Sequence, residues 1–326
     1  MNEKNLGSWM ITLLLTFSLI HCGSPAWGAE EPYPNKPINL VVNYAPGGVM
    51  DTHARILADR LAEVLGQPVL KVHKPGGGGT LGASFAARAK ADGYTLFTGT
   101  SSSLILTPII KKVDYKWEDF VPIGIYCRGT VFLYVRKDAK WKTLQDLIQE
   151  SKERQLNASS SGMLNHTHFV QAIFAKMAGI KLAHVPYKSC GEAVTALLGG
   201  HADVDFCQSS IGQVEAGAVR VLAVADYERS RLMPEVKTFQ EQGYPVALPL
   251  YYSFCVPAKT PKNVIDILGK GMQEVFKRYG KEVQEELIRV EFIPSFFDVQ
   301  QSIQEFKKDY EVTSKAVKES GLATDK

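Results

Sequence analysis

Short apolar runs alternate with longer amphipathic stretches along nearly the whole chain. Residues 38–44 (INLVVNY), 68–74 (PVLKVHK) and 94–100 (YTLFTGT) read as strands. Between the first two, residues 51–66 place Ala54, Leu57, Ala58, Leu61, Ala62 and Leu65 at the i, i+3, i+4, i+7 spacing of one helix face, and Gly66 stops the helix. Strand, helix, strand, helix, strand predicts a parallel sheet with helices on both faces. The pattern restarts at residues 131–137 (VFLYVRK). It continues through a helix from Thr143 to about Lys152, LNASSS, a helix from about His166 to Met177, LAHVPYK, GEAVTALLGG, DVDFCQSS and VRVLAVAD. Two such sets predict two α/β lobes. The last third reads as mostly helical, from Pro261 to about Tyr279 and again over residues 299–318. The chain should return to the first lobe after residues 251–259 (YYSFCVPAK), with crossings near Cys127 and Cys255. No repeat, low-complexity tract or flexible linker interrupts the mature sequence, so a hinge of two crossing strands is expected.

The first thirty residues are of another kind. An apolar run over residues 9–20 is about a dozen residues long, short of the roughly twenty that span a bilayer. Small residues follow at Ala26, Gly28 and Ala29, which predicts a signal peptide over residues 1–29 cleaved near Gly28 or Ala29. Leu19-Ile20-His21-Cys22 half matches a lipoprotein processing site, although His21 stands where a small residue belongs; a lipid anchor at Cys22 is the alternative. Cleavage leaves Cys127, Cys190, Cys207 and Cys255 for an oxidising compartment, with no CxxC pair for a metal cluster or redox motif. If one bridge forms, Cys127–Cys255 is the expected pair, because both lie at the crossings. A net charge of +3 with no long Lys/Arg block argues against nucleic acid. With 45% hydrophobic residues the chain has ample material for folded cores.

Three segments at strand ends carry candidate chemistry. In YAPGGVMD, from Tyr44 to Asp51, Gly47 and Gly48 let backbone N–H groups turn toward a guest, and Asp51 is placed to cap the following helix. A helix start of this kind attracts anions. Asp51 and Arg55, at i and i+4, are expected to pair on the helix surface. KPGGGGTLGA supplies Gly78, Gly79 and Thr80; it lacks the Gly-Lys-Ser/Thr of a phosphate loop and has no ribose-binding acid for a dinucleotide. TGTSSS adds hydroxyls, Ser101 among them, at the same carboxyl edge, where ligands of open α/β sheets gather. The second lobe offers Asn165 and His166 at a helix start, and Gln208 and Ser209 after a strand. His166 and His168 have no third ligand at useful spacing, so no metal is expected. No GxSxG elbow or assigned base accompanies the serines, so no enzyme activity and no cofactor are expected.

These motifs, in this order, resemble a family. YPNKPINLVVNYAPGGVMDTHARILADRL, GQPVLKVHKPGGGGTLGA, ADGYTLFTGT, LAHVPYKSCGEAVTALLGGHADVDF, RVLAVAD, RSRLMPEVKTFQEQGYP and FCVPAKTP look like segments of the substrate-binding proteins of tripartite tricarboxylate transporters. The resemblance implies a periplasmic-binding-protein (Venus-flytrap, type II-like) α/β fold, two doubly wound lobes joined by two crossing strands. Residues 30–126 with 253–326 would form one lobe and 127–252 the other. It implies a periplasmic receptor, expected to be monomeric, that hands a small organic carboxylate to membrane permease subunits. By position, Gly47, Gly48, Asp51, Gly78, Gly79 and Thr80 would grip the ligand carboxylate, and Asn165, His166, Gln208 and Ser209 would complete the cage. The chain departs from the family pattern at residues 163–168 and at Cys207-Gln208-Ser209, on the lobe that senses the far end of the ligand. Tyr44, His166 and the aromatic segment at Tyr251 and Tyr252 leave room for an aromatic acid; a short dicarboxylate, a tricarboxylate or an amino acid stays equally open, with Gln208 in place of an acid tilting away from a free amino group. A sensor presenting its ligand to a membrane histidine kinase is the alternative role.

Overall fold

β1 (Ile38–Val42) keeps Ile38, Leu40, Val41 and Val42 out of water, as a strand in the middle of a helix-covered sheet must. The computed structural model describes residues 32–47, 49–163, 165–208 and 210–320, and its main unit is Lys36–Lys326. The expected signal segment over residues 1–29, with Cys22 and the Gly28/Ala29 cleavage point, lies outside the described residues, as do Gly48 and Ser209.

The first sheet contains β1, β2 (Val69–His73), β3 (Thr95–Thr100), β4 (Phe120–Gly129), β10 (Leu250–Pro257) and β11 (Ile293–Phe297), in the order β11-β4-β10-β3-β1-β2. The second contains β5 (Phe132–Arg136), β6 (Leu156–Ser160), β7 (Leu182–Pro186), β8 (Val204–Cys207) and β9 (Val219–Val224), in the order β7-β6-β8-β5-β9. Each sheet has a parallel trio (β2-β1-β3 and β7-β6-β8) and then an antiparallel strand that has arrived from the other sheet, β10 or β5. Two α/β lobes with the crossing strand built into each sheet is the expected fold. The chain changes sheet between Gly129 and Phe132 and returns between Val224 and Leu250, and Gly129 and Leu250 are register partners.

The helices follow their apolar stripes. α1 (Val49–Leu65) buries Ala54, Leu57, Ala58 and Leu61; each fully buried leucine contributes about 1.5–3 kcal/mol. The others are α2 (Thr80–Ala87), α3 (Thr107–Ile110), α4 (Leu144–Glu153), α5 (His166–Ala178), α6 (Cys190–Leu198), α7 (Ile211–Glu215), α8 (Lys262–Arg289) and α9 (Val299–Ser320). α8 runs well past the expected end near Tyr279. It lies so close to α1 that a Cβ on Gly271 would stand 3.0 Å from Leu65 and 3.1 Å from Leu61. α9 serves both lobes: Phe306 enters the core of the first, while Val312 and Ala316 pack on the core of the second.

The cysteines correct one expectation. The bridge joins Cys190, at the start of α6, to Cys207, at the end of β8, and Cys127 and Cys255 are free and buried. Both free thiols sit on neighbouring strands, but the register sets Cys127 opposite Tyr252 and Cys255 opposite Pro122, so they never face each other. Burial pushes the Cys255 thiol up to about 12, outweighing the Ser253 hydroxyl and a Gly99 backbone contact.

Candidate ligand-binding cleft

Between the two sheets lies a cavity of about 510 Å³ lined from both lobes. The first lobe supplies Tyr44, Ala45, Met50, Thr100, Ser102 and the run from Val290 to Phe292. The second supplies Ser161, Asn165, His166, Thr167, residues 188–191 and Gln208, and Gly129, Leu250 and Tyr252 belong to the crossing strands. Tyr252 and Phe292 meet edge to face at 4.9 Å, and the buried ring of His53 packs on both. His53 Nδ1 meets the Tyr126 hydroxyl at 2.9 Å, and burial holds this imidazole neutral, at about 3.

Of the residues expected from sequence, Tyr44, Asn165, His166 and Gln208 line the cavity. Gln208 is the freest: its carboxamide stacks above Gly129, where a Cβ would touch it at 3.5 Å, and it has no hydrogen-bond partner among the described residues. Asn165 is more committed. Its Oδ1 caps α5 by accepting His168 N–H at 3.1 Å, and its Nδ2 donates to Ser161 Oγ at 3.1 Å. His166 bonds through Nε2 to Leu248 O at 2.7 Å, tying the second lobe to a crossing segment. Burial depresses its pKa to about 4, so it stands neutral in the wall.

The remaining expected residues among those described stay off the wall. Asp51 does not pair with Arg55. Its Oδ2 accepts Gly47 N–H at 3.0 Å, and its Oδ1 receives His73 Nε2 at 2.9 Å and Lys71 Nζ at 3.1 Å. Register explains this: β2 lies beside β1, which brings Lys71 and His73 to the loop after β1. The Gly47 amide is therefore held by the protein itself, while Ala45 and Met50 on either side of it reach the cavity. Gly79 N–H donates to Gly76 O at 3.0 Å, Thr80 Oγ1 to Gly77 O at 3.1 Å, and Gly78 O accepts the Tyr44 hydroxyl at 3.3 Å. The second glycine loop thus braces Tyr44 rather than lining the cleft. Gly79 must be glycine: its φ is +97, and a Cβ would stand 2.7 Å from Asn43 Nδ2. Ser101 faces the hinge, where its Oγ accepts Tyr251 N–H at 3.1 Å and bonds the buried Asp309 carboxyl of α9. Its neighbours Thr100 and Ser102 line the cleft instead.

Sequence reasoning missed Lys188 and Glu291, the charged residues of the wall. Both sit at helix boundaries, Lys188 just ahead of α6 and Glu291 just beyond α8. Nothing local marks such positions as part of a cleft. Asp205 is different: it lies on β8 beside β6, where its Oδ1 accepts from Ser159 Oγ at 2.9 Å, and burial raises it to about 7.

Two sheets in this order, crossed twice and enclosing a cleft at their junction, define a two-lobed periplasmic-binding-protein fold. A model of the tripartite tricarboxylate transporter family receptor matches residues 53–322. BugT of Bordetella pertussis is 32% identical over 258 residues, covering 76% of this chain and 79% of that one. A solved structure described as a periplasmic transporter is 31% identical, with a TM-score of 0.77 over 90% of this chain and 100% of that one. MatC from Rhodopseudomonas palustris, solved with bound malate, shares the fold at 24% identity and a TM-score of 0.72, covering 87% of this chain and 100% of MatC. The chain belongs to the tripartite tricarboxylate transporter receptor family, whose members are periplasmic solute-binding receptors.

Proposed function

We propose that this chain captures a small organic carboxylate between its lobes and delivers it to a tripartite tricarboxylate-type membrane permease, without transforming it. The observation that carries this reading is the make-up of the cleft. It is large enough for a small acid and offers the Ser102 hydroxyl, the Gln208 carboxamide and the Lys188 ammonium with no competing partner among the described residues. Ala45 and Met50 flank the start of α1, whose dipole favours an anion there. MatC, of the same fold, binds malate, a small carboxylate. The lobes would close about the crossings at residues 129–131 and 225–249, with the ligand contributing the differential contacts that favour closure.

A thermal-shift screen of the mature protein, refolded to remove co-purified ligand, against about a hundred organic acids tests the reading. A ligand at one hundred times its Kd adds about 2.7 kcal/mol and raises Tm by several degrees. Silence across the carboxylates, with a response to sugars, cations or nucleotides, would sink it.

A further inference from the structure

α8 ends with Glu291 N–H on Ile288 O at 2.9 Å and Phe292 N–H on Leu287 O at 2.9 Å. That ending calls for one left-handed residue, a place glycine usually takes. Here Glu291 takes it, at φ 62, alone among the described non-glycine residues in having a positive φ. A long carboxylate side chain held against the backbone's preference points to a use for that side chain.

The side chain leaves the first lobe and crosses to the second. Oε1 accepts N–H from Ile211 at 3.1 Å and from Gly212 at 3.4 Å, which fixes the carboxylate plane. Oε2 is buried and has no partner among the described residues. Burial pushes this carboxyl above its ordinary range, against the pull of the Gly212, Ile211 and Ser210 amides. Lys188 is the other charged residue of the wall, and its ammonium forms no ion pair among the described residues.

We infer that Glu291 is a specificity-determining residue of the cleft: its second oxygen accepts a hydrogen bond from the ligand, so the preferred substrate is a carboxylate that also carries a hydroxyl or ammonium group. This rests on the carboxylate-receptor reading above. Gln208, standing in place of an acid, argued from sequence against a ligand with a free amino group; Glu291 supplies an acid from the opposite lobe. The charges agree. One lysine and one glutamate leave the wall near neutrality, so a fully ionised tricarboxylate would bring its third charge against Glu291 with no cation to match it. A buried acceptor also rejects the analogue that lacks the donor, because its lone pair is then left unpaired.

The test is calorimetric titration of the mature chain with matched acids: malate and aspartate against succinate, lactate against propionate, and 2-hydroxyglutarate against glutarate. The wild type should bind the donor-bearing member of at least one set tenfold or more tighter than its partner. Glu291→Gln should shrink that ratio severalfold, and Glu291→Gly, which suits the left-handed backbone and so should fold, should abolish it. No preference in the wild type, an undiminished ratio in both variants, or equal weakening of both members would overturn the inference and leave the receptor reading standing. Binding of no carboxylate at all would overturn both.

Discussion

Replacing Asp51 with asparagine removes a charge that three groups on two segments share: Gly47 N–H ahead of α1, and His73 and Lys71 on β2. The side chain is only 14% exposed, so solvent screens these contacts weakly. Burial by itself raises the carboxyl, but the Gly47, His73 and Lys71 contacts outweigh it and hold the pKa at about 2, against 3.8 for a free aspartate. At 1.36 kcal/mol per unit, the ionised form stabilises the fold by about 2 kcal/mol. The folded pKa lies below the unfolded one, so this stabilisation is fully present above about pH 4 and is lost as pH falls toward 2; near pH 3 roughly half remains. Urea unfolding followed by tryptophan fluorescence, run on wild type and Asp51→Asn, should give a gap of about 2 kcal/mol at pH 7, narrowing to about 1 kcal/mol at pH 3. A gap that is the same at both pH values, or no gap at pH 7, would refute the electrostatic account. The same variant should loosen the loop that carries Ala45 into the cleft and weaken ligand binding more than a matched surface change such as Asp59→Asn.

Packing and covalent structure give three further outcomes. A Cβ on Gly82 would stand 2.7 Å from Asn43 Cβ and 3.0 Å from its backbone, so Gly82→Ala should cost about 1–3 kcal/mol by forcing α2 off β1; a urea midpoint within error of wild type would show that the helix shifts freely. The mature protein, denatured without reductant, should expose two titratable thiols, Cys127 and Cys255, and four after reduction. Because the bridge closes a separation of 17 residues, Cys190→Ser should destabilise by about 3 kcal/mol, and a count of four thiols before reduction would remove the bridge.

Periodicity and turn chemistry made most elements legible in the chain itself. The apolar stripe of α1, the period of the first three strands and the restart at β5 are local patterns, and local patterns survive translation into structure. The match to the receptor family was equally legible, because several linked segments carry it in order. Strand β4 was not: FVPIGIYCRG contains a proline and two glycines, and only its pairing with β10 and β11 makes it a strand. The cleft was legible in part. Tyr44, Asn165, His166 and Gln208 sit at strand ends or a helix start, where the topology alone puts a ligand. The glycine loops were placed correctly along the chain, but which amides stay free depends on what packs behind them. Asp51 takes the Gly47 amide because β2 presents Lys71 and His73 beside it. Ser101 turns to the hinge because α9 brings Asp309 there. Glu291 and Lys188 line one cleft from opposite lobes although about a hundred residues separate them, and the Cys190–Cys207 bridge follows the packing of α6 against β8 rather than spacing. Sequence determines where backbone can bend and which faces are apolar. Only the folded chain decides which polar groups are spent on each other and which are left for a guest.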